Sequence, residues 1–154
     1  AHADVAALVE GALELGASNA CVSTRPAGSG YFMNPALLTG VPEHATISSA
    51  EIFAPIAVVG TFRTSAEAVA RANDTPFGLA GYVFSQDIDQ AFGVAHALNL
   101  GVLGINKGLV ADASSPFGGL GYSGYGKEGG AEGMQDFQTV KQFNLDMPAT
   151  AFHG

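Results

Sequence analysis

The stretch IAVVGTFRTSAEAVARA, residues 56–72, decides the fold class. Its first seven residues form a continuous apolar and β-branched run, which is typical of a strand covered on both faces. Thr64 and Glu67 then have the spacing of a capping box, in which a hydroxyl and a carboxylate satisfy free amides at the start of a helix. The pattern therefore predicts a buried strand at 56–62, followed by a helix that ends near Ala72.

The alternation of strand and helix continues towards the carboxyl end. Residues 80–84 have the pattern of a second strand, and residues 87–98 place apolar side chains on one face of a helix. Residues 102–106 have the pattern of a third strand. Strands and helices that alternate with short links are typical of parallel strands joined by right-handed crossovers. The sequence therefore predicts an α/β fold, in which a parallel sheet has flanking helices.

Two further segments precede this unit. Apolar residues recur at helical spacing from Asp4 to Leu15, and Gly16 provides a left-handed end, which predicts an amphipathic helix. An extended stretch at 31–38 is interrupted by Pro35, which cannot donate a ladder hydrogen bond. We therefore expect an edge or irregular strand there.

The regular alternation stops after residue 106. A loop leads into a glycine-rich stretch at 118–133. A short helix is predicted at 131–137 and a final strand at 139–145, and we expect the tail at 148–154 to be frayed.

Composition excludes several classes of protein. Hydrophobic residues make up 47% of the chain, enough for a packed core, so a disordered protein is excluded. Six Lys and Arg against fourteen Asp and Glu give a formal net charge of −8, and the basic residues are scattered. A nucleic-acid groove or an anionic membrane surface requires a positive stripe, and no apolar run approaches the ~18 residues of a membrane span. We therefore expect neither a nucleic acid nor a membrane as partner.

Cysteine and histidine usage bears on metals and on the cellular compartment. Cys21 is the only cysteine, which excludes an internal disulfide and a Cys-based zinc site, and the four histidines show no H-x-x-x-H pairing. These features predict a cytoplasmic protein with no metal site. The first residues lack both an initiator Met and a signal-peptide pattern, so we expect the sequence to begin partway through a longer gene product.

Cys21 is also the one candidate for a nucleophilic thiol. No Lys or His stands near it in sequence to activate the sulfur, and the run around it has the pattern of a short strand rather than a helix start. We therefore interpret it as a small buried hydrophobic residue, the usual role of a free cysteine.

The glycine-rich stretch and two single residues, Phe117 and Glu51, have competing interpretations. Backbone amides freed by glycine can bind phosphate, but the spacing fits no Walker A motif. We favour tight turns and a close backbone approach to another segment or a substrate. Phe117 either walls an apolar pocket or is an ordinary core residue. Glu51, which stands before an apolar turn, is either a solvated acid or a functional carboxylate.

Four segments in order resemble motifs of the NAD(P)-dependent aldehyde dehydrogenase superfamily, and together they span nearly the whole chain. They are AEIFAP at 50–55, ANDTPFGLA at 72–80, GIN at 104–106, and SPFGG at 115–119 with SGYGKEG at 123–129. The resemblance implies the latter half of such a catalytic domain, followed by an oligomerisation strand. The implied organisation is a part of the catalytic domain at 1–137, an oligomerisation strand at 138–147 and a tail at 148–154.

The resemblance also implies roles for individual residues. Glu51 matches the glutamate that hydrogen-bonds the nicotinamide ribose, and Phe53 matches the aromatic residue beside the nicotinamide ring. Phe117 matches an aromatic residue of the substrate tunnel, and Ser115 ends the loop from Lys107 that sets the substrate class, so both are expected to bind substrate. The family's nucleophilic cysteine, its general-base glutamate and its dinucleotide-binding domain lie before the matched region. No catalytic residue is therefore expected in this chain, and Cys21 does not match the nucleophile.

The sequence NKGLV at 106–110 makes the substrate loop similar to that of succinate-semialdehyde dehydrogenases. However, a serine that some of them use to bind the substrate carboxylate falls on Ala111. Asp112 would repel a carboxylate, unless Ser114 or Ser115 and a basic residue outside this chain compensate. Other departures are Ala for Glu at 50, Ala for Gly at 54 and Gly for Lys at 121.

Two functions of different classes follow. The first is part of an NAD- or NADP-dependent enzyme that oxidises an aldehyde, with succinate semialdehyde as first candidate, and that assembles as a homo-oligomer. The choice between NAD and NADP stays open, because it belongs to the missing domain. The second is a non-catalytic module, in which residues 140–145 add a strand to a partner's sheet. A small-anion site in the glycine-rich stretch is a third, weaker hypothesis.

Overall fold

The computed structural model describes residues 2–21 and 28–146 of the 154. The helices are α1 His2–Glu14, α2 Ser65–Ala72, α3 Ile88–Ala97 and α4 Gly130–Gln135, with one 3-10 turn at Thr46–Ser48. The strands are β1 Ser18–Asn19, β2 Ala36–Thr39, β3 Ile56–Val59, β4 Phe77–Gly78, β5 Ala80–Val83, β6 Val102–Ile105 and β7 Leu120–Gly121.

The strands form three small sheets and are interspersed with helices along the chain, which confirms the α/β class. One sheet has the order β1-β2-β3, with β1 antiparallel and β3 parallel to β2. β5 and β6 form a parallel pair, and β4 pairs with β7 in antiparallel fashion. The parallel pairing of β5 and β6 agrees with the predicted alternation, whereas β3 pairs with β2 rather than with β5. Alternation indicates the direction of pairing, but consecutive strands are spatial neighbours only about two-thirds of the time.

The predicted helix starts agree with the structure. The Thr64 hydroxyl accepts a hydrogen bond from the Glu67 amide at 3.2 Å. The Glu67 carboxylate accepts from the Arg63 amide at 2.9 Å, one residue earlier than a standard capping box requires. Asp87 caps α3 in the same way, accepting from the Gln90 amide at 3.0 Å. These bonds satisfy amides that a helix start leaves free.

Two strand predictions are wrong. β2 is the middle strand of its sheet, not an edge strand, because Pro35 lies just before it and the first ladder donor is the Ala36 amide, which bonds the Pro55 carbonyl at 3.0 Å. β3 is not covered on both faces within this chain. It is an edge strand, and residues 57–59 are exposed.

The core is small and lies between α1, β2 and the 3-10 turn. Its buried members are Ala12, Ala17, Ala36, Leu38, Ala45 and Ile47. On α3 only Ala91 and Ala95 are buried, while Ile88 and Phe92, on the same predicted apolar face, are half exposed. Much of the chain's apolar surface therefore faces outward.

The total exposed area supports that conclusion. The chain exposes 11436 Å², whereas a folded monomer of 15.6 kDa is expected to expose about 7,200 Å². Even a fully extended stretch of fifteen residues exposes only about 2,200 Å², so the residues outside the described ranges do not account for the excess. This chain therefore leaves open surface that a monomer of its size would normally bury.

The predictions for the carboxyl-terminal residues have different outcomes. The predicted short helix is present as α4. Residues 138–146 form neither helix nor strand within the chain, so a strand that pairs with another subunit stays a prediction. The tail at 148–154 lies outside the described residues. None of the described helices is long and apolar enough to cross a membrane.

Candidate functional site

Glu51 and Phe53 occupy the turn that leads into β3. Ile52, between them, packs against the core, whereas Glu51 is exposed and the Phe53 ring is 87% exposed. The Ile56 amide bonds the Ala54 carbonyl at 2.7 Å and closes the turn next to them. A carboxylate and an aromatic ring are thus both accessible to a ligand on one short turn.

Ser115 and Phe117 lie in the loop between β6 and β7. Phe117 pairs with Glu128 in an isolated antiparallel bridge, and both amide-to-carbonyl distances are 2.7 Å. The Phe117 side chain is half-buried and Ser115 is exposed. The structure therefore holds the backbone of Phe117 in a fixed position and leaves part of its ring accessible.

The glycine-rich stretch allows close backbone approach. A side chain at Gly118 would collide with the carbonyl of Gly126, and one at Gly101 would collide with that of Gly118. The Lys127 ammonium donates to the Gly118 carbonyl at 3.0 Å and to the Gly119 carbonyl at 3.4 Å. These contacts favour the tight-turn interpretation over a phosphate site, because the cation already has backbone partners.

Loop 107–115 contains a closed turn around Asp112. The Asp112 carboxylate accepts from the Ser114 hydroxyl at 2.6 Å and from the Ser114 amide at 2.8 Å. These two bonds, with a smaller contribution from the charge of Lys107, hold the pKa of Asp112 below its usual value. The Ser115 amide donates to the Asp112 carbonyl at 3.1 Å. Asp112 is therefore an ionised group fixed within one turn of Ser115.

Asn106 is a functional candidate that the sequence analysis treated only as the end of a strand motif. Its backbone has φ +52°, in the left-handed region that asparagine tolerates better than most residues. Its amide group donates to the Ser85 carbonyl and accepts from the Ser85 amide, both at 2.9 Å. Asn106 thus joins the carboxyl ends of β5 and β6, beside a cavity of about 680 Å³ lined by Phe84, Ser85, Gln86 and Asn106.

A larger groove, of about 1150 Å³, lies between residues 41–49, the end of β3 and the end of α2. Arg71 spans it, with its Nε 3.0 Å from a Glu43 carboxylate oxygen and its Nη1 donating to the Thr61 carbonyl at 2.7 Å. None of the four predicted binding residues lines this groove.

The predicted residues form two groups rather than one site. Glu51 and Phe53 precede β3, and Ser115 and Phe117 follow β6, which belongs to a different sheet. No hydrogen bond or ion pair among the described residues joins the two groups. Cys21 is half-buried, and its amide donates to the Asn19 side chain at 3.0 Å. Within residues 2–21 and 28–146, no three His, Cys, Asp or Glu side chains are grouped to hold a metal.

Comparison with known proteins assigns the family. The model of the aldehyde dehydrogenase family matches residues 1–143. The chain belongs to the aldehyde dehydrogenase family. It is 38% identical over 148 residues to a succinate-semialdehyde dehydrogenase of Paenarthrobacter nicotinovorans, covering 96% of this chain and 33% of that protein. It is 40% identical over 130 residues to the NADP(+) succinate-semialdehyde dehydrogenase GabD of Escherichia coli K12, covering 84% of this chain and 27% of GabD.

Solved aldehyde dehydrogenase structures have the same fold. A succinate-semialdehyde dehydrogenase from Burkholderia pseudomallei superposes with TM-score 0.83 at 40% identity, over 88% of this chain and 28% of that one. The NAD+ complex of a Bacillus cereus aldehyde dehydrogenase superposes with TM-score 0.84 at 35% identity, over 91% and 28% of the two chains. This aldehyde dehydrogenase family chain spans a third or less of the length of these relatives.

Proposed function

We propose that this chain is the carboxyl-terminal part of an NAD(P)-dependent aldehyde dehydrogenase that oxidises an aldehyde to the carboxylic acid. The observation that carries the proposal is the family match over residues 1–143, together with the exposed pair Glu51 and Phe53 on the turn before β3. We expect the protein to be cytoplasmic, because this part of it has one cysteine and therefore no internal disulfide.

The exposed turn fits a nicotinamide dinucleotide. A free carboxylate such as that of Glu51 accepts strong hydrogen bonds from two adjacent hydroxyls, as a ribose presents them. The exposed ring of Phe53 offers a flat apolar surface on which the nicotinamide can be positioned. Hydride acceptance is the chemistry that such a cofactor supplies when bound. In this proposal Glu51 and Phe53 bind and orient the cofactor, and the reacting thiol belongs to another part of the polypeptide.

The loop side of the chain supplies a wall for the aldehyde. Phe117 contributes a half-buried ring and Ser115 an exposed hydroxyl, and the bridge to Glu128 holds the backbone of Phe117 in place. Several relatives are named succinate- or glutarate-semialdehyde dehydrogenases. Succinate semialdehyde is therefore our first candidate for the substrate.

The chain alone is expected to be inactive. The large exposed apolar area requires a covering layer, and in this proposal the remainder of the enzyme provides it. The test is a hybrid in which residues 1–143 replace the matching part of E. coli GabD. We expect the hybrid to oxidise succinate semialdehyde with NAD or NADP, and the isolated chain to show no turnover. Sustained turnover by the isolated chain would contradict the proposal.

Two variants of the hybrid and one control variant separate binding from chemistry. Glu51→Gln is expected to raise the KM for the dinucleotide about tenfold, because a charge-assisted hydrogen bond is weakened. Glu10→Gln, an exposed change on α1, is the matched control and should leave that KM unchanged. Cys21→Ala should leave kcat unchanged. A loss of activity in this variant would contradict the proposal that the reacting thiol lies outside this chain.

The segment at 138–146 favours an assembly role in addition. Val140 is 94% exposed and Phe143 79% exposed, in a stretch that forms no strand within the chain. A segment that has exposed apolar side chains and no ladder partner among the described residues is suited to pairing with a partner's sheet edge. We therefore propose that this segment pairs subunits of a homo-oligomer. An assembly module without catalysis would give an associating hybrid with no turnover.

A further inference from the structure

We propose that Asp112 is a specificity-determining residue that disfavours aldehydes with a carboxylate at the far end of the molecule. This inference rests on the proposed function, because it assumes that Ser115 and Phe117 line the aldehyde site. From the sequence alone, a neighbouring serine hydroxyl could offset the repulsion between Asp112 and a substrate carboxylate.

The first step is the position of the charge. The hydrogen bond from the Ser115 amide to the Asp112 carbonyl closes a four-residue turn, and the ends of such a turn lie within about 7 Å of each other. The turn is also anchored from outside, because the Gly130 amide donates to the Ala113 carbonyl at 3.1 Å. These two hydrogen bonds therefore fix the backbone of Asp112 close to that of Ser115.

The second step is the state of the neighbouring hydroxyl. The Ser114 hydroxyl donates its proton to Asp112 at 2.6 Å, so it is not available to a ligand carboxylate. The Ser114 amide is engaged by the same carboxylate at 2.8 Å. Within the turn, Ser115 is then the one serine whose hydroxyl has no hydrogen bond to Asp112. The compensation by Ser114 that the sequence allowed is thus absent in this arrangement.

The third step is the sign of the local charge. Lys107 is the basic residue of loop 107–115, and its effect on Asp112 is the smallest of the contributions. Asp112 is exposed, so its charge, at a separation no greater than the Debye length of about 8 Å, changes the binding constant of a ligand anion by roughly two- to fivefold, and salt screens the effect. Asp112 should thus lower the affinity for succinate semialdehyde, which remains a substrate, and leave the affinity for an uncharged aldehyde unaffected.

The experiment compares two aldehydes of equal length, succinate semialdehyde and butanal, in the GabD hybrid at low ionic strength. Asp112→Asn keeps an oxygen that accepts from Ser114 and removes only the charge. We expect it to raise kcat/KM for succinate semialdehyde about two- to fivefold, with no change for butanal, and we expect 0.5 M salt to abolish most of the gain. Asp89→Asn, an exposed change of the same kind on α3, is the matched control and should alter neither substrate.

A second protein keeps the test open if the hybrid does not fold. It is GabD in which only the residues matching loop 107–115 are replaced by those of this chain, with and without Asp112→Asn. Oxidation of both aldehydes with no selective gain on charge removal would overturn the role of Asp112 and leave the proposed function intact. Inability of the folded hybrid to oxidise either aldehyde, while GabD itself is active, would overturn the proposed function and the inference with it.

Discussion

At the scale of single residues, the turn around Asp112 makes a prediction about proton binding. Two hydrogen bonds from Ser114 hold the pKa of Asp112 below its usual value. Ser114→Ala removes one donor, so we expect the pKa of the Asp112 carboxyl to rise towards its ordinary value. A carboxyl carbon NMR titration measures it. Ser115→Ala, which touches only a hydroxyl outside this pair, is the control and should leave the titration in place.

The sign of the linked stability effect follows from that direction. Because the pKa of Asp112 is lower in the folded state, its hydrogen bonds contribute stability that is present above the unfolded pKa and is lost as pH falls through the folded pKa. The difference in unfolding free energy between the wild type and Ser114→Ala should therefore shrink on acidification. A difference that grew with falling pH would contradict the assignment.

Asn106 gives a second prediction at this scale. Asn106→Ala removes both hydrogen bonds to Ser85 and places an alanine at positive φ, so we expect a loss of about 2 kcal/mol in unfolding free energy. Urea denaturation measures it. Asn106→Gly removes the same bonds and relieves the backbone, so it should lose less than the alanine variant. Equal losses would show that φ at this position carries no strain.

At the scale of elements, the start of α2 depends on Thr64. Thr64→Ala removes the oxygen that accepts from the Glu67 amide, and a lost cap of this kind costs about 1 kcal/mol. Thr64→Ser keeps the hydroxyl and is the matched control. Thermal and urea unfolding of the three proteins would contradict the capping role if the alanine and serine variants were equally stable.

The elements also show what the sequence can predict and what it cannot. The starts of α2 and α3 are local, since Thr64 and Asp87 contact amides only three residues away, and both helices are where the pattern places them. The neighbours of a strand are not local. A β-branched run predicts β3, but whether its faces are covered depends on chain that is distant in sequence. The position of Pro35 is a related case, because one residue of register decides whether a proline interrupts a strand or precedes it.

The candidate site follows the same division. Glu51 and Phe53 are accessible, as cofactor binding would require, and the roles that their motif implies stay a prediction. The two hydrogen bonds between Asn106 and Ser85 join residues 21 positions apart, and the only local signal for them is the G-x-N ending of the strand. The bond from Ser114 to Asp112 spans two residues, yet the sequence could not choose between that partner and a ligand.

At the scale of the whole molecule, the exposed apolar surface predicts association. We expect the isolated chain to form oligomers, and Val140→Asp with Phe143→Asp to reduce them, because two exposed apolar side chains are replaced by charges. Light scattering measures the size. Thr139→Asp with Gln142→Asp adds the same two charges to the same segment while keeping the apolar side chains. An equal effect of both double variants would indicate simple charge repulsion rather than docking of the segment.

The order of the strands has a consequence for the growing polypeptide at the ribosome. β1, β2 and β3 find their partners within about forty residues of chain, all before position 60, whereas β4 waits for β7, which joins positions 77–78 to 120–121. Near contacts close faster than distant ones. We therefore expect the amino-terminal sheet to form in the nascent chain before the glycine-rich stretch, which contains β7, is translated.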